Sequence, residues 1–300
     1  MAGYAQQKQV MNVSLAVAVI LLAAKTFATV LTGSSAIYSD AVESVVHVFA
    51  VGFAAWALRL SQKPADDTHH FGHDKISFIS AGFEGAMISA AAVLIVYEAG
   101  KQFVHGVEIS NLGLGLWITV GAALVNLVLG LSLIRIGKKT SSPLLRANGT
   151  HVITDVWSSA AVVIALLLIH LTGWVWWDPV IAILAALNIL RVGLKLIRES
   201  LRCLLDEADP AIEQQARNLL DMECAERNLA YHNFRHRHSG RSHWVEFHLI
   251  FPDEMNIETA HTLATEIEAS VAALIAPDGR VITHLEPLSA EQHIEPWEKP

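Results

Sequence analysis

The chain of 300 residues is 53% hydrophobic, with a mean hydropathy of +0.40, and only 17% of it is charged, well below the ~25% of an average soluble domain. Its formal net charge of −8, with acidic residues and histidines gathered from Asp206 onward, excludes a nucleic-acid binder. With only two cysteines, Cys203 and Cys224, it has no disulfide framework, and what remains is a membrane protein with a soluble part attached.

Six segments are long and apolar enough to cross a hydrocarbon core: 11–32, 36–60, 78–101, 114–136, 147–171 and 179–199. The first is too long for a secretory h-region and lacks a small-residue cleavage site, so a retained helix is expected. Connections 33–35, 101–113 and 172–178 then share one side, while 61–77, 137–146 and both termini share the other. Lys8, Arg59, Lys63, Lys75, Arg135, Lys138, Lys139, Arg146, Lys195, Arg198 and Arg202 all fall on the terminal side, against Lys101 alone opposite. The positive-inside rule places both termini in the cytosol, where the cysteines are reduced. Trp174, Trp176 and Trp177 suit an interfacial belt near the last outer loop.

The apolar pattern ends near Leu205, dividing the chain into a transmembrane domain (1–205), a cytosolic domain (206–290) and a tail (291–300). After the acidic linker Asp206-Glu-Ala-Asp-Pro210, a helix is expected over 211–222. Strands follow at 229–238 and 243–251, joined by a turn at Ser239-Gly240-Arg241. A helix over 256–275, capped by Asn256, and a strand over 280–286 complete a small α+β fold.

Polar residues inside the apolar segments carry the chemistry. Glu43-xxx-His47 and His151-xxx-Asp155 each set two ligand-type side chains at i, i+4 on one helix face. Such groups are costly in lipid, so they pair or serve a function. Together, two imidazoles and two carboxylates would make a four-coordinate site for a divalent transition metal. The alternative is that each pair caps or bridges helices without a metal. Asp40, about one turn before Glu43, is a partner that supports a ligand, an alternative ligand or, as preferred here, an outer-mouth group. Lys25 and Glu84 pair across helices, or Lys25 snorkels to the interface, with proton handling an open role for Glu84.

Two further clusters lie outside the apolar segments. In the loop Pro64–Lys75, Asp66, His69 and His73 offer one oxygen and two nitrogens, and Gly72 lets the chain fold back between them. In the soluble part, His232, His248, His261, His284 and Glu286 come from elements able to converge at one sheet edge. His236, His238, His243 and His293 read as solvated surface. No P-loop, Gly-rich nucleotide turn or HExxH helix is present, so any transport draws on an ion gradient rather than ATP.

These motifs carry a family resemblance over nearly the whole chain. Thr32-Gly-Ser-Ser35, Pro64-Ala-Asp-Asp67, Phe71-Gly-His-Asp-Lys75, His151-xxx-Asp155, Trp244-Val-Glu-Phe-His248, Ala260-His261 and Ile282-Thr-His-Leu-Glu-Pro287 resemble the cation diffusion facilitators. Within that family the chain is most similar to the bacterial zinc/ferrous-iron efflux antiporters. The resemblance implies a six-helix transmembrane domain and a metallochaperone-like cytosolic domain, assembled as a homodimer in a bacterial inner membrane. It implies metal-for-proton exchange at Glu43, His47, His151 and Asp155, with further metal at the loop and cytosolic clusters. It also implies a charge interlock between Lys75 and Asp206. Relatives usually carry Asp-xxx-Asp or His-xxx-Asp where this chain has Glu43-xxx-His47, and the softer ligand set favours Zn2+, with Fe2+, Co2+, Ni2+ or Cd2+ as other cargoes. Leu285 falls between two cytosolic ligands where relatives often have a polar residue, which would lower the metal count there.

Two other readings compete. A non-transporting metal sensor or scaffold could use the same fold, although it would have no need of the intramembrane ligands. A His-box membrane metalloenzyme would use His69, His70 and His73, but such enzymes need several boxes and the chain offers one.

Overall fold

A computed structural model describes residues 2–32, 35–105, 113–174, 176–240, 242–275 and 278–290. They form two compact units, Met1–Leu201 and Arg202–Pro300.

The first unit is a bundle of six long helices: α1 (Ala2–Thr32), α2 (Ser35–Leu60), α3 (Ile76–His105), α4 (Gly113–Lys139), α5 (Pro143–Thr172) and α6 (Trp177–Leu204). Each is longer than its apolar stretch, because backbone hydrogen bonds continue past the point where the side chains become polar. Among the described residues, 5–27, 76–101, 120–139 and 179–204 are apolar and long enough to cross a membrane, and α2 adds a shorter apolar run, His47–Ser61. Large apolar side chains such as Ile20, Phe49, Leu94 and Val128 face outward, as lipid-facing surfaces require.

Helices α1, α2, α4 and α5 share one core, built on Met11, Val51, Leu58, Leu133, Leu144 and Val152. Helix α3 packs on α2 and α5. It meets α6 through small residues: a Cβ on Gly193 would stand 2.9 Å from the Gly85 carbonyl oxygen and 2.4 Å from Ser89 Oγ. Such close backbone approach is how helices associate in lipid, where burial of apolar surface gives no drive.

The second unit is α7 (Pro210–Arg227), β1 (Ala230–His238), β2 (His243–Phe251), α8 (Ile257–Leu274), β3 (Gly279–Pro287) and a short 3-10 turn (Leu288–Ala290). Asp209 caps α7, its Oδ1 accepting from the Ala211 N–H at 2.8 Å, with Pro210 following. The helix runs to Arg227, beyond the expected end at 222. An Arg227–Glu223 pair one turn apart supports its last turn, and Asn228 closes it in the left-handed region at φ 55°. Asn256 caps α8 by accepting from the Thr259 N–H at 2.9 Å.

The sheet order is β1-β2-β3, with β1 antiparallel and β3 parallel to β2. The parallel pairing follows from α8, which serves as the crossover between β2 and β3. One sheet face buries Val245, Phe247, Leu249 and Phe251 with Leu220 of α7 and Ala264, Ile267 and Val271 of α8. Leu285 packs against this same core, so it lies on the face opposite His284 and Glu286 and is not a member of their cluster. Cys203 and Cys224 are not joined in a disulfide, and burial pushes the Cys224 thiol up to about 11.

Candidate metal centres

Within the helix bundle, α2 and α5 bring His47, His151 and Asp155 together, with one donor atom from each lying within 4.8 Å of the others. His47 Nδ1 stands 3.7 Å from Asp155 Oδ2, and the two imidazole rings meet edge to face with centroids 4.6 Å apart. His47 and His151 are only 8% and 6% exposed, and among the described residues Nδ1 of each has no hydrogen-bond partner. An enclosed polar atom left unmatched costs about 1–3 kcal/mol, so three ligand-type groups arranged this way suit a cation better than an empty core.

Ala18, Leu21, Lys25, Ser44, Asn126 and Ser158 complete the lining of the cavity that holds His47 and Asp155. Lys25 is thus a buried group facing the cluster rather than one snorkelling to the interface. Glu84 is fully buried and faces His151, with Oε2 4.0 Å from Nδ1; among the described residues its carboxylate oxygens have no hydrogen-bond partner, so no hydrogen-bonded Lys25–Glu84 pair is formed there. Asn126 was silent in the sequence because a lone amide within an apolar helix carries no spacing signal. The side chains of Asp40 and Glu43 lie outside the described residues.

In the loop between α2 and α3, Asp66 Oδ1 accepts from the Thr68 N–H at 3.0 Å, the Thr68 hydroxyl at 2.9 Å and the His69 N–H at 2.8 Å. These bonds fold the chain back on itself, and Gly72 at φ +84° continues the turn. The Thr68 and His69 donors hold the Asp66 carboxyl far below the usual carboxylate range. His69 Nδ1 and His73 Nε2 then stand 3.2 and 3.4 Å from the two Asp66 oxygens. His70 turns away, its Nε2 3.1 Å from the Asp67 carbonyl oxygen, which removes the third member of any His box.

In the second unit the register places His232, His248 and His284 side by side across the three strands. Glu286, two residues beyond His284, joins them: Oε2 is 2.9 Å from His232 Nε2, and Oε1 is 2.8 Å from His248 Nδ1 and 3.5 Å from His284 Nε2. The cluster therefore sits on a sheet face rather than at an edge. Asn233, in the left-handed region at φ 52° beside a β1 irregularity, brings Nδ2 to 3.2 Å from His248 Nε2, a partner with no signal in the sequence. His261 stands exposed on α8 and is not among the converging groups. Asp206 lies 3.7 Å from Arg237 within its own unit, while Lys75 belongs to the first unit.

The solvated reading of His236, His238 and His243 is overturned. His236 is 9% exposed, and its Nε2 accepts from the Asp209 N–H at 2.9 Å. His238 and His243 are half-buried, face each other across the hairpin in direct register, and hold their rings 4.4 Å apart. All three lie on the core face of the sheet: His243 precedes Val245 by two residues on β2, and His236 is registered opposite Val245. His293 lies outside the described residues.

Comparison with known proteins bears on all three clusters. Residues 11–205 match a cation efflux transmembrane domain, and residues 210–288 match the cytoplasmic domain of cation efflux proteins. The chain is 35% identical over 287 residues to an uncharacterized transporter of Synechocystis sp., covering 96% of this chain and 91% of that one. It is 30% identical over 275 residues to the cation-efflux pump FieF of Salmonella arizonae, covering 91% and 90%. It is 28% identical over 280 residues to the cation-efflux pump FieF of Shewanella oneidensis, covering 93% of each.

Proposed function

Because the chain belongs to the cation efflux family, a family of integral membrane transporters and not of enzymes, we propose that it exports Zn2+ from the cytosol in exchange for protons. The observation that carries this reading is the buried triad of His47, His151 and Asp155, assembled from two helices with one donor atom from each within 4.8 Å of the others. Glu43, one turn before His47 on α2, is proposed as the fourth ligand. Two nitrogens and two oxygens as donors favour zinc among common divalent ions, ahead of Fe2+, Co2+, Ni2+ or Cd2+.

Each group has a separate task. His47 and His151 bind zinc through neutral lone pairs, and Asp155 and Glu43 supply charge that balances the ion. Protons compete for these same lone pairs, so metal leaves where protons are abundant and binds where they are scarce. Opening the bundle alternately to each side converts that competition into exchange. The surplus of basic residues on the terminal side supports cytosolic termini and outward export. The cytoplasmic-domain match supports a homodimer, in which metal at the loop and at the His232–His248–Glu286 cluster biases the transport equilibrium. We include the Lys75–Asp206 interlock in this proposal as the link between loop and cytosolic domain.

The test is zinc uptake into proteoliposomes loaded with a metal-sensitive dye, with a proton gradient applied and then collapsed. Gradient-dependent flux that vanishes in Asp155→Ala supports exchange through this site. Zinc binding without flux under any gradient overturns it in favour of a metal sensor.

A further inference from the structure

Two enclosed polar groups, one of them a member of the intramembrane triad, face each other across neighbouring helices. Glu84 of α3 is fully buried, and among the described residues neither carboxylate oxygen has a hydrogen-bond partner. His151 Nδ1, on neighbouring α5, is likewise buried and unpartnered. Glu84 Oε2 stands 4.0 Å from His151 Nδ1. That separation is too short for a bridging water, since two bonds of ~2.8 Å at a water's angle span about 4.5 Å. It is about 1 Å longer than an ordinary N–H···O bond, a gap that small side-chain rotations close.

We propose that Glu84 is a positioning residue for the transport reaction: it accepts a hydrogen bond from His151 Nδ1–H and so presents the Nε2 lone pair to the cargo ion. A neutral imidazole has one N–H and one lone pair, so fixing the proton on one nitrogen assigns the ligand role to the other. The two nitrogens lie on different edges of the ring, and Nδ1 is the one turned to α3. A carboxylate behind a ligating histidine both fixes ring orientation and raises the basicity of the coordinating nitrogen. In lipid the arrangement also matches two groups that would otherwise each remain unsatisfied. Glu84 is outside the triad whose donor atoms converge, so it acts through His151 rather than on the ion.

The inference rests on the triad being the transport site, and the experiment separates the two. Glu84→Leu, Glu84→Gln and Asp155→Ala are compared in full-length protein in proteoliposomes, reading zinc half-saturation and maximal flux separately. Glutamine keeps an acceptor oxygen for Nδ1–H, whereas leucine does not. Glu84→Leu is expected to raise zinc half-saturation on the order of 10–100-fold, with Glu84→Gln close to wild type. In parallel, 15N spectra of histidine-labelled wild type, with the His151 signal assigned by its loss in His151→Ala, are expected to show the Nδ1–H tautomer. This second measurement needs no Glu84 variant to fold. Wild-type half-saturation in Glu84→Leu, equal loss in Gln and Leu, or an Nε2–H tautomer at His151 would overturn the inference. If Asp155→Ala loses flux while Glu84→Leu is unaffected, only the positioning role fails. If Asp155→Ala transports normally, the transport-site reading itself fails.

Discussion

Gly130 of α4 and Gly149 of α5 sit back to back: a Cβ on either would stand 3.2 Å or less from the carbonyl oxygen of the other. On Gly149 it would also meet the Ile134 backbone nitrogen at 2.9 Å, an atom with little freedom to yield. Gly149→Ala must therefore push α5 off α4, and His151 is two residues further along α5. The expected result is a loss of about 1–3 kcal/mol in stability and a higher zinc half-saturation in flux assays. Gly52→Ala, with open space around its Cβ, is the matched control and should be neutral in both.

Glu286 is the common partner of His232, His248 and His284. Glu286→Ala removes the anionic ligand and leaves three imidazoles crowded without a counter-charge. Zinc retained by the full-length protein after dialysis against a weak chelator should fall, with the lost fraction coming from the cytosolic domain. Flux at saturating zinc should persist, because the intramembrane triad is untouched. Complete loss of flux would show that cytosolic metal is obligatory for transport.

The loop separates fold from charge. Asp66→Asn keeps an oxygen able to accept from Thr68 and His69, so the turn should survive, while Asp66→Ala loses both turn and ligand. Zinc affinity at the loop should fall in both, but the loop amides should keep their chemical shifts only in the asparagine variant. Because the Asp66 carboxyl is held so low, it stays ionised throughout mild acidification, and acid release of loop metal should not depend on its protonation.

The pair His238 and His243, with His236 beside them, makes the second unit acid-sensitive. Burial first, and the neighbouring His243 second, push His238 down to about 4; burial likewise lowers His236 and His243. A base whose folded value lies below its unfolded one binds protons more readily when unfolded. The stability is therefore intact above the ordinary histidine value of ~6.5 and drains away as pH falls from there toward about 4. Protonation of His236 would also destroy the acceptor that holds the Asp209 N–H. Hydrogen exchange across β1 and β2 should accelerate over that pH window, by an amount equivalent to roughly 1–3 kcal/mol. His238→Gln should flatten the dependence.

What the sequence made legible was periodic or paired. Apolar length announced the spans, and i, i+4 spacing announced His151 with Asp155. Strand alternation put the second strand at 243–251, the bounds it has in the fold, His243–Phe251. What it could not show were relations between elements. Glu84 and His151 come from helices packed side by side, and nothing in the local pattern of either one points to the other. Lys25 looked like an interfacial lysine until packing placed it in the cavity of His47 and Asp155. His261 satisfied its motif yet faces outward, because the buried stripe of α8 runs through Ala260, Ala264 and Ile267 and turns its neighbour away. Leu285 went wrong for the simplest reason: adjacent strand residues lie on opposite faces.

The rung of His232, His248 and His284 has one more consequence. Three strands, two of them parallel and joined by a helix, reach alignment only through long-range contacts, which form slowly. A slip of one residue in any strand would carry its imidazole to the opposite face and dissolve the ligand set. A metal ion bound by this set would require a correctly aligned sheet and would act as a proofreader during folding, rewarding the true register and withholding its binding energy from every slipped one.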